Sequence, residues 1–219
     1  MIAALYVQRD GVYFNLPDVD PWGANRDARL YAGPWPVVAH PPCARWGRYW
    51  SGGPSARVRR RKGDDGGCFA AALASVRSWG GVLEHPEGSH AWRWANLICP
   101  PREGGWISAG DGIGWTCCVE QGHYGHPARK ATWLYAAGLD SLPDLTWGKS
   151  PAGIRLDDGF HSAEEHRRAI KTGRCQLLSH RQREATPIPF RDALINLARQ
   201  AQRPQQTTGQ SQLFGARDE

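Results

Sequence analysis

The chain contains no apolar run approaching the ~18 residues that a membrane-spanning helix needs. Its first residues also lack the basic start and apolar stretch of a secretory signal. Both absences predict a cytoplasmic chain that does not enter a membrane. Regular cysteine spacing is missing too: the six cysteines include no Cys-x-x-Cys pair, which argues against a disulfide framework and for free thiols. Acidic residues are in deficit, 21 against 27 lysines and arginines, leaving a net charge of +6 and a pI of about 9.2. Such a surplus suits a polyanionic partner, and nucleic acid is the first to consider.

Aromatic residues, by contrast, are abundant. Eleven tryptophans occur, several beside a cation, as in Arg45-Trp46, Trp92-Arg93-Trp94 and Trp147-Gly148-Lys149. Such pairs either pack in the core or stack on bases while the cation holds phosphate. A basic run, Arg57, Arg59, Arg60, Arg61 and Lys62, lies in a glycine-flanked stretch. It reads either as a solvated charge cluster or as a loop that closes over a nucleic-acid backbone.

Punctuation by glycine and proline divides the chain. Residues 1–16 read as two short strands joined at Arg9-Asp10-Gly11, a hairpin signal. "PWPVVAHPP" is a buried strand stopped by prolines that cannot continue a ladder. "CFAAALASVRSWG" has helical composition and ends at Gly80-Gly81, and "GVLEHP" follows as another strand cut off by proline. "WTCCVEQGHYG" and "KATWLYAAG" are strand candidates. "SAEEHRRAIKTG", capped by Ser162 and closed by Gly173, and "PFRDALINLARQAQ" are helices. The alternation predicts an α/β fold with its chemistry on the loops after the strands. Residues 1–203 form one domain on this reading, and the polar residues 204–219 a disordered tail.

Three of those loops belong together. "HPPC" ends one strand, "EHP" ends the next, and "GHYGHPARKATW" bridges two more. That ordered set resembles the DNA cytosine C5-methyltransferase family, in which a Pro-Pro-Cys segment supplies a nucleophile, a Glu-Asn segment a carboxylate, and a Tyr-Gly-x-Pro segment completes the base pocket. The last helix, "TPIPFRDALINLAR", is similar to the family's closing motif. The resemblance covers Val37 to Arg199 and implies a reduced Rossmann-like methyltransferase sheet with flanking helices. It makes Cys43 and Glu84 the catalytic pair. Pro42, His85, Arg129 and Lys130 would line the base, and Arg45, Arg48, Arg57, Arg59, Arg60, Arg61 and Lys62 would hold DNA.

The chemistry links these residue types. C5 of cytosine is a poor nucleophile until a thiolate adds at C6, and an acid at N3 favours that addition. Prolines before Cys43 restrict the approach of the sulfur. A base inside a duplex has to be flipped out, and a mobile basic loop after the nucleophile closes over it.

Departures from the family pattern are as informative. Ala128, Lys130 and Thr132 replace the Gln-x-Arg-x-Arg run, and His85 replaces the Asn after the carboxylate. No Phe-x-Gly-x-Gly loop precedes Cys43, and too few residues are there for the family's strand–helix units. The segment of about 145–179 is short for a sequence-recognition region, implying relaxed or very short site preference. A changed electrophile is therefore expected: methylenetetrahydrofolate or another donor at the formaldehyde level, giving methyl- or hydroxymethylcytosine. The alternatives are S-adenosylmethionine held by a partner chain or a rebuilt site, a non-catalytic DNA-binding module, or zinc on His40, His85, His90, His123, His126 and the cysteines. In the tail, Gln210, Leu213 and Phe214 resemble the Gln-x-x-Leu-Phe peptide that docks bacterial proteins on the replication sliding clamp.

Overall fold

The computed structural model describes residues 1–47, 50–51, 58, 60–152, 163–173 and 178–204. Its strands are β1 (Ile2–Leu5), β2 (Val19–Trp22), β3 (Val37–Ala39), β4 (Gly81–Pro86), β5 (Ile107–Ser108), β6 (Gly114–Glu120) and β7 (Ala131–Ala137). Its α-helices are α1 (Cys68–Trp79), α2 (His90–Trp94), α3 (Ala163–Lys171), α4 (His180–Glu184) and α5 (Ile188–Gln200). The strands form one seven-stranded mixed sheet in the order β2-β1-β3-β4-β7-β6-β5. The first four are parallel to their neighbours, and β7, β6 and β5 continue the sheet in antiparallel register. This is an α/β fold.

Alternation along the strands divides the core. Ala3, Leu5, Val37, Ala39 and Leu83 face α1, where Phe69, Ala72, Leu73 and Val76 cover them. Ile2, Ala4, Val38 and Val82 face α5, which supplies Phe190, Leu194, Ile195, Leu197 and Ala198. Every residue of β1 and β3 is buried, as expected of strands covered on both faces.

That burial corrects the expected N-terminal hairpin. The turn at Arg9-Asp10-Gly11 exists, with the Gly11 amide donating to the Gln8 carbonyl at 3.0 Å, but another turn follows it instead of a returning strand. The partner of β1 is β2, parallel and paired Ile2 to Val19. A strand buried on both faces has parallel neighbours on both edges here, and Tyr13 goes into the α5-side core. Three strands do precede Cys43; the intervening connections carry only a single 3-10 turn, Ala28–Leu30.

β4, β7, α1 and α5 lie where the sequence places them, within two residues at their ends, while β3 and β6 stop three and five residues before their expected stretches end. α3 spans the expected helix and Gly173 follows it, whereas Ser162 lies outside the described residues. β2, β5, α2 and α4 are additional elements of two to five residues.

Gly81 brings β3 and β4 together. Its φ is +115°, and a Cβ there would lie 2.0 Å from the Val37 carbonyl oxygen. Both the dihedral and the contact exclude an L side chain. Gly81→Ala is expected to destabilise the fold by about 2 kcal/mol or more, lowering Tm by roughly 4–8 °C in a thermal melt. An unchanged melt would contradict this packing.

Candidate active site

β3 ends at Ala39, and the His40 amide still reaches across to the Leu5 carbonyl at 3.0 Å. Pro41 and Pro42 follow and have no N–H to offer, so the ladder stops and the chain leaves the sheet. Cys43 comes next, exposed at the carboxyl end of the strand. Its carbonyl accepts from the amides of both Trp46 and Gly47 at 2.9 Å, which fixes the turn that holds the thiol.

Trp46 anchors that turn. It is buried, its indole N–H donates to Asp65 Oδ2 at 2.7 Å, and its ring packs on Phe69 and Trp94. Asp65 in turn accepts from the amides of Gly67 and Phe69, capping α1. On the far side of the basic loop, the Gly63 amide donates to the Arg45 carbonyl at 3.0 Å. The two ends of the loop are thus tied together against the Trp46 ring.

Glu84 stands on the adjacent strand, at the carboxyl end of β4 and on the α5 side of the sheet. Its Oε2 lies 2.9 Å from His40 Nδ1, and Gln121 Nε2 donates to Oε1 at 3.4 Å. His40 Nε2 is 2.8 Å from the hydroxyl of buried Tyr13. Gln121 is buried too, and it also donates to Thr132 Oγ1 at 3.0 Å. Tyr13, His40, Glu84, Gln121 and Thr132 therefore form one hydrogen-bonded chain across five segments.

Electrostatics join Cys43 to this chain. The protein packed around the Cys43 thiol pushes it above its usual range and the Glu84 charge adds to that, while Lys130 opposes it. Burial also pushes the Glu84 carboxyl up, but the hydrogen bond and charge of His40, with Lys130 and His85, outweigh it and hold the group below the usual carboxylate range. Lys130 feels Glu84, Cys43 and Glu184 against a burial that lowers it. Its Nζ donates to the carbonyls of Glu184 and Ala185, tying α4 to the site. Cys43, Glu84 and Lys130 are thus one electrostatic unit. Glu84 is a carboxylate at rest.

The remaining expected base-contacting residues separate. Pro42 is exposed beside Cys43. Arg129 donates from Nε to the Ala152 carbonyl at 3.0 Å. His85 is fully buried on the opposite face of β4 from Glu84, against Phe69 and Trp92, with Nδ1 2.7 Å from Ser89 Oγ. That leaves no ring surface for a base. The Pro41 and Pro42 carbonyls favour its charged form from a distance, since Nε2 has no hydrogen-bond partner among the described residues.

Burial lowers His85 to about 4. A histidine depressed below its usual value of about 6.5 binds more protons unfolded than folded between those pH values. Stability is then full above about 6.5 and falls by up to about 3 kcal/mol as pH drops towards 4. Thermal melts should show that fall, and His85→Asn should flatten it; an unchanged slope in the variant would assign the acid sensitivity elsewhere.

Of the basic residues, Arg60, Arg61 and Lys62 are exposed and Arg45 is half-buried, while Arg48, Arg57 and Arg59 lie outside the described residues. So do Gln210, Leu213 and Phe214. Among the described residues no group of three His, Cys, Asp or Glu side chains is placed to hold a metal ion, and no helix is long and apolar enough to cross a membrane.

Sequence reasoning missed His40, except as a zinc candidate, together with Tyr13 and Gln121. The one local signal was the position of His40 directly before the two prolines, at the end of the strand that delivers Cys43.

Comparison of the chain with protein-family models, with curated proteins and with solved structures returns no match.

Proposed function

We propose that the protein modifies C5 of cytosine in DNA, adding a one-carbon unit through a covalent bond between Cys43 and C6. One observation carries this reading: a thiol and a carboxylate stand at the carboxyl ends of adjacent parallel strands, coupled to each other and to Lys130. Ligands of open α/β sheets bind at such strand ends. The resemblance of the Pro-Pro-Cys, Glu-His-Pro and Tyr-Gly-x-Pro segments to the cytosine C5-methyltransferases supplies the reaction class, and the parallel half of the sheet suits its Rossmann-like form.

In this mechanism Cys43 loses its proton and adds to C6, while N3 takes a proton by way of Glu84, leaving C5 electron-rich. Lys130 offsets the negative charge around both groups. Arg45, Arg60, Arg61 and Lys62, beside the nucleophile, meet the DNA backbone. Replacing Arg59, Arg60 and Arg61 with alanine should flatten the salt dependence of DNA binding, by about one unit of slope per lost phosphate contact. An unchanged slope would place these arginines in solvent.

The strand order reverses between β1 and β3, which makes their carboxyl ends the crevice for a second ligand. The residues there do not fit the family's cradle for S-adenosylmethionine. β1 runs into turns through residue 18 with no helix, and Gly11 serves a tight turn in which a Cβ would lie 2.8 Å from the Gln8 carbonyl. This supports a different electrophile, at the level of methylenetetrahydrofolate or formaldehyde. Such a donor supplies a carbon that an activated C5 attacks directly. Purified protein should be incubated with duplex DNA and each donor in turn, and the nucleosides weighed. Hydroxymethylcytosine is the expected product with an aldehyde donor or with methylenetetrahydrofolate and water, and methylcytosine with methylenetetrahydrofolate where the tetrahydrofolate released also gives up hydride. Methylcytosine formed with S-adenosylmethionine alone would overturn the donor, and no product with any donor in either form would overturn the enzyme.

The tail's likeness to a clamp-binding peptide makes the replication sliding clamp a second proposed partner, reached by residues 205–219.

A further inference from the structure

We propose that His40, held by Tyr13, is a positioning residue that stores the proton Glu84 delivers to the base. The inference rests on the cytosine-modifying reading and deepens it.

The geometry is a linear chain. The Tyr13 hydroxyl lies 2.8 Å from His40 Nε2, and His40 Nδ1 lies 2.9 Å from Glu84 Oε2. His40 and Glu84 side chains are only 14% and 12% exposed, and Tyr13 is 3% exposed, so water is largely excluded from both bonds. Each end of the imidazole is occupied, which fixes both the ring's rotation and the atom that faces the carboxylate. Tyr13 is itself seated by its segment: Arg191 of α5 donates to the Val12 carbonyl at 2.8 Å. The charged groups around the pair are Cys43 on its own loop, Lys130 before β7, and Arg191 and Asp192 on α5 beyond Tyr13.

A carboxylate that is ionised at rest cannot protonate N3 by itself. With imidazolium at Nδ1, the pair holds one transferable proton and remains neutral as a unit. As the Cys43 thiolate bonds to C6, the C5–C6 pair moves to C4–C5 and the C4–N3 pair moves onto N3. Glu84 takes the proton from His40 Nδ1 and passes it to N3, leaving His40 neutral and Glu84 ionised. After C5 has gained its carbon and given its hydrogen to solvent, the thiolate leaves C6. The N3 proton then returns to Glu84 and His40, so nothing is consumed in a cycle.

His40→Asn separates this role from simple orientation, because the Asn amide donates from nearly the position of Nδ1 but carries no transferable proton. The assay is the rate of covalent trapping on 5-fluorocytosine DNA with the one-carbon donor present, since the adduct persists only once C5 has gained its carbon and has no hydrogen to lose; it is followed against pH, with DNA affinity and Tm measured alongside. The wild type should lose rate as rising pH removes the stored proton. His40→Asn should trap about 10²-fold more slowly, lose that descending limb, and keep DNA affinity within a few-fold. Wild-type rate and pH profile in His40→Asn would overturn the proposal, as would a loss in rate matched by loss of binding. Should His40→Asn fail to fold, Tyr13→Phe decides: a displaced descending limb supports the relay and an unmoved one overturns it. A wild type that forms no adduct overturns the cytosine reading itself and the relay with it.

Discussion

On the proposed function, Cys43→Ala is expected to give a folded protein that still binds DNA and modifies none of it. The residue is exposed, so its truncation removes little packing, and the turn around it is held by the Cys43 backbone carbonyl and by Trp46. The chemistry, however, has no substitute for the thiolate. A loss on the order of 10⁴-fold or more is expected, the scale on which removal of a covalent nucleophile acts. Cys43→Ser should lose nearly as much, because an alkoxide is far less accessible than a thiolate at neutral pH. Serine elsewhere gives a different pattern. Cys99 is exposed and should tolerate the change, whereas Cys117 and Cys118 are buried and should lose stability while retaining chemistry. Product analysis and circular dichroism on the same preparations separate the two cases. Full activity in Cys43→Ser would remove Cys43 from the mechanism.

Glu84→Gln should lower the rate of modification by about 10²–10⁴-fold with DNA affinity changed only a few-fold, because the group acts on the bound base. Its neighbours make this a strict test. The amide that replaces the carboxylate still offers an oxygen to His40 Nδ1, so the hydrogen-bonded chain keeps its shape, and only the charge and the proton path are lost. The pH response of stability should change as well. A carboxyl held below its usual range contributes stability that is present above that range and lost as pH falls through the depressed value. The acid limb of a pH–Tm curve should therefore shrink in Glu84→Gln. Equal losses of rate and of DNA binding would make Glu84 a structural residue.

The legible parts of this molecule are those with local punctuation. β3 and β4 each run into proline, α1 ends at Gly80-Gly81, and α5 has a one-sided apolar pattern; all four could be read from neighbours in the chain. The places of Cys43, four residues past β3, and of Glu84, two residues before the end of β4, could be read from the same punctuation. β2, β5, α2 and α4 are two to five residues long and leave no period to detect. The hairpin expectation failed because a turn signal specifies the turn and not the partner; burial on both faces of β1 decided the partner instead. The Tyr13–His40–Glu84 chain joins residues 27 and 44 positions apart, and only the sheet order brings them together. His85 shows the converse: adjacent to Glu84 in sequence, it faces the other side of the sheet.

The bond between Gly63 and Arg45, closed over the Trp46 ring, makes the basic loop an exchangeable cassette. Its two attachment points are fixed to the same tryptophan that seats the nucleophile's turn, so changes of length inside it need not propagate to Cys43. Doubling the length of a flexible loop costs only about 0.6 kcal/mol. On the proposed function, loops grafted or lengthened between Arg45 and Gly63 would retune which DNA is engaged while the thiol and carboxylate stay in place. In evolution and in engineering alike, target choice and bond-making chemistry would vary as separate modules on one scaffold.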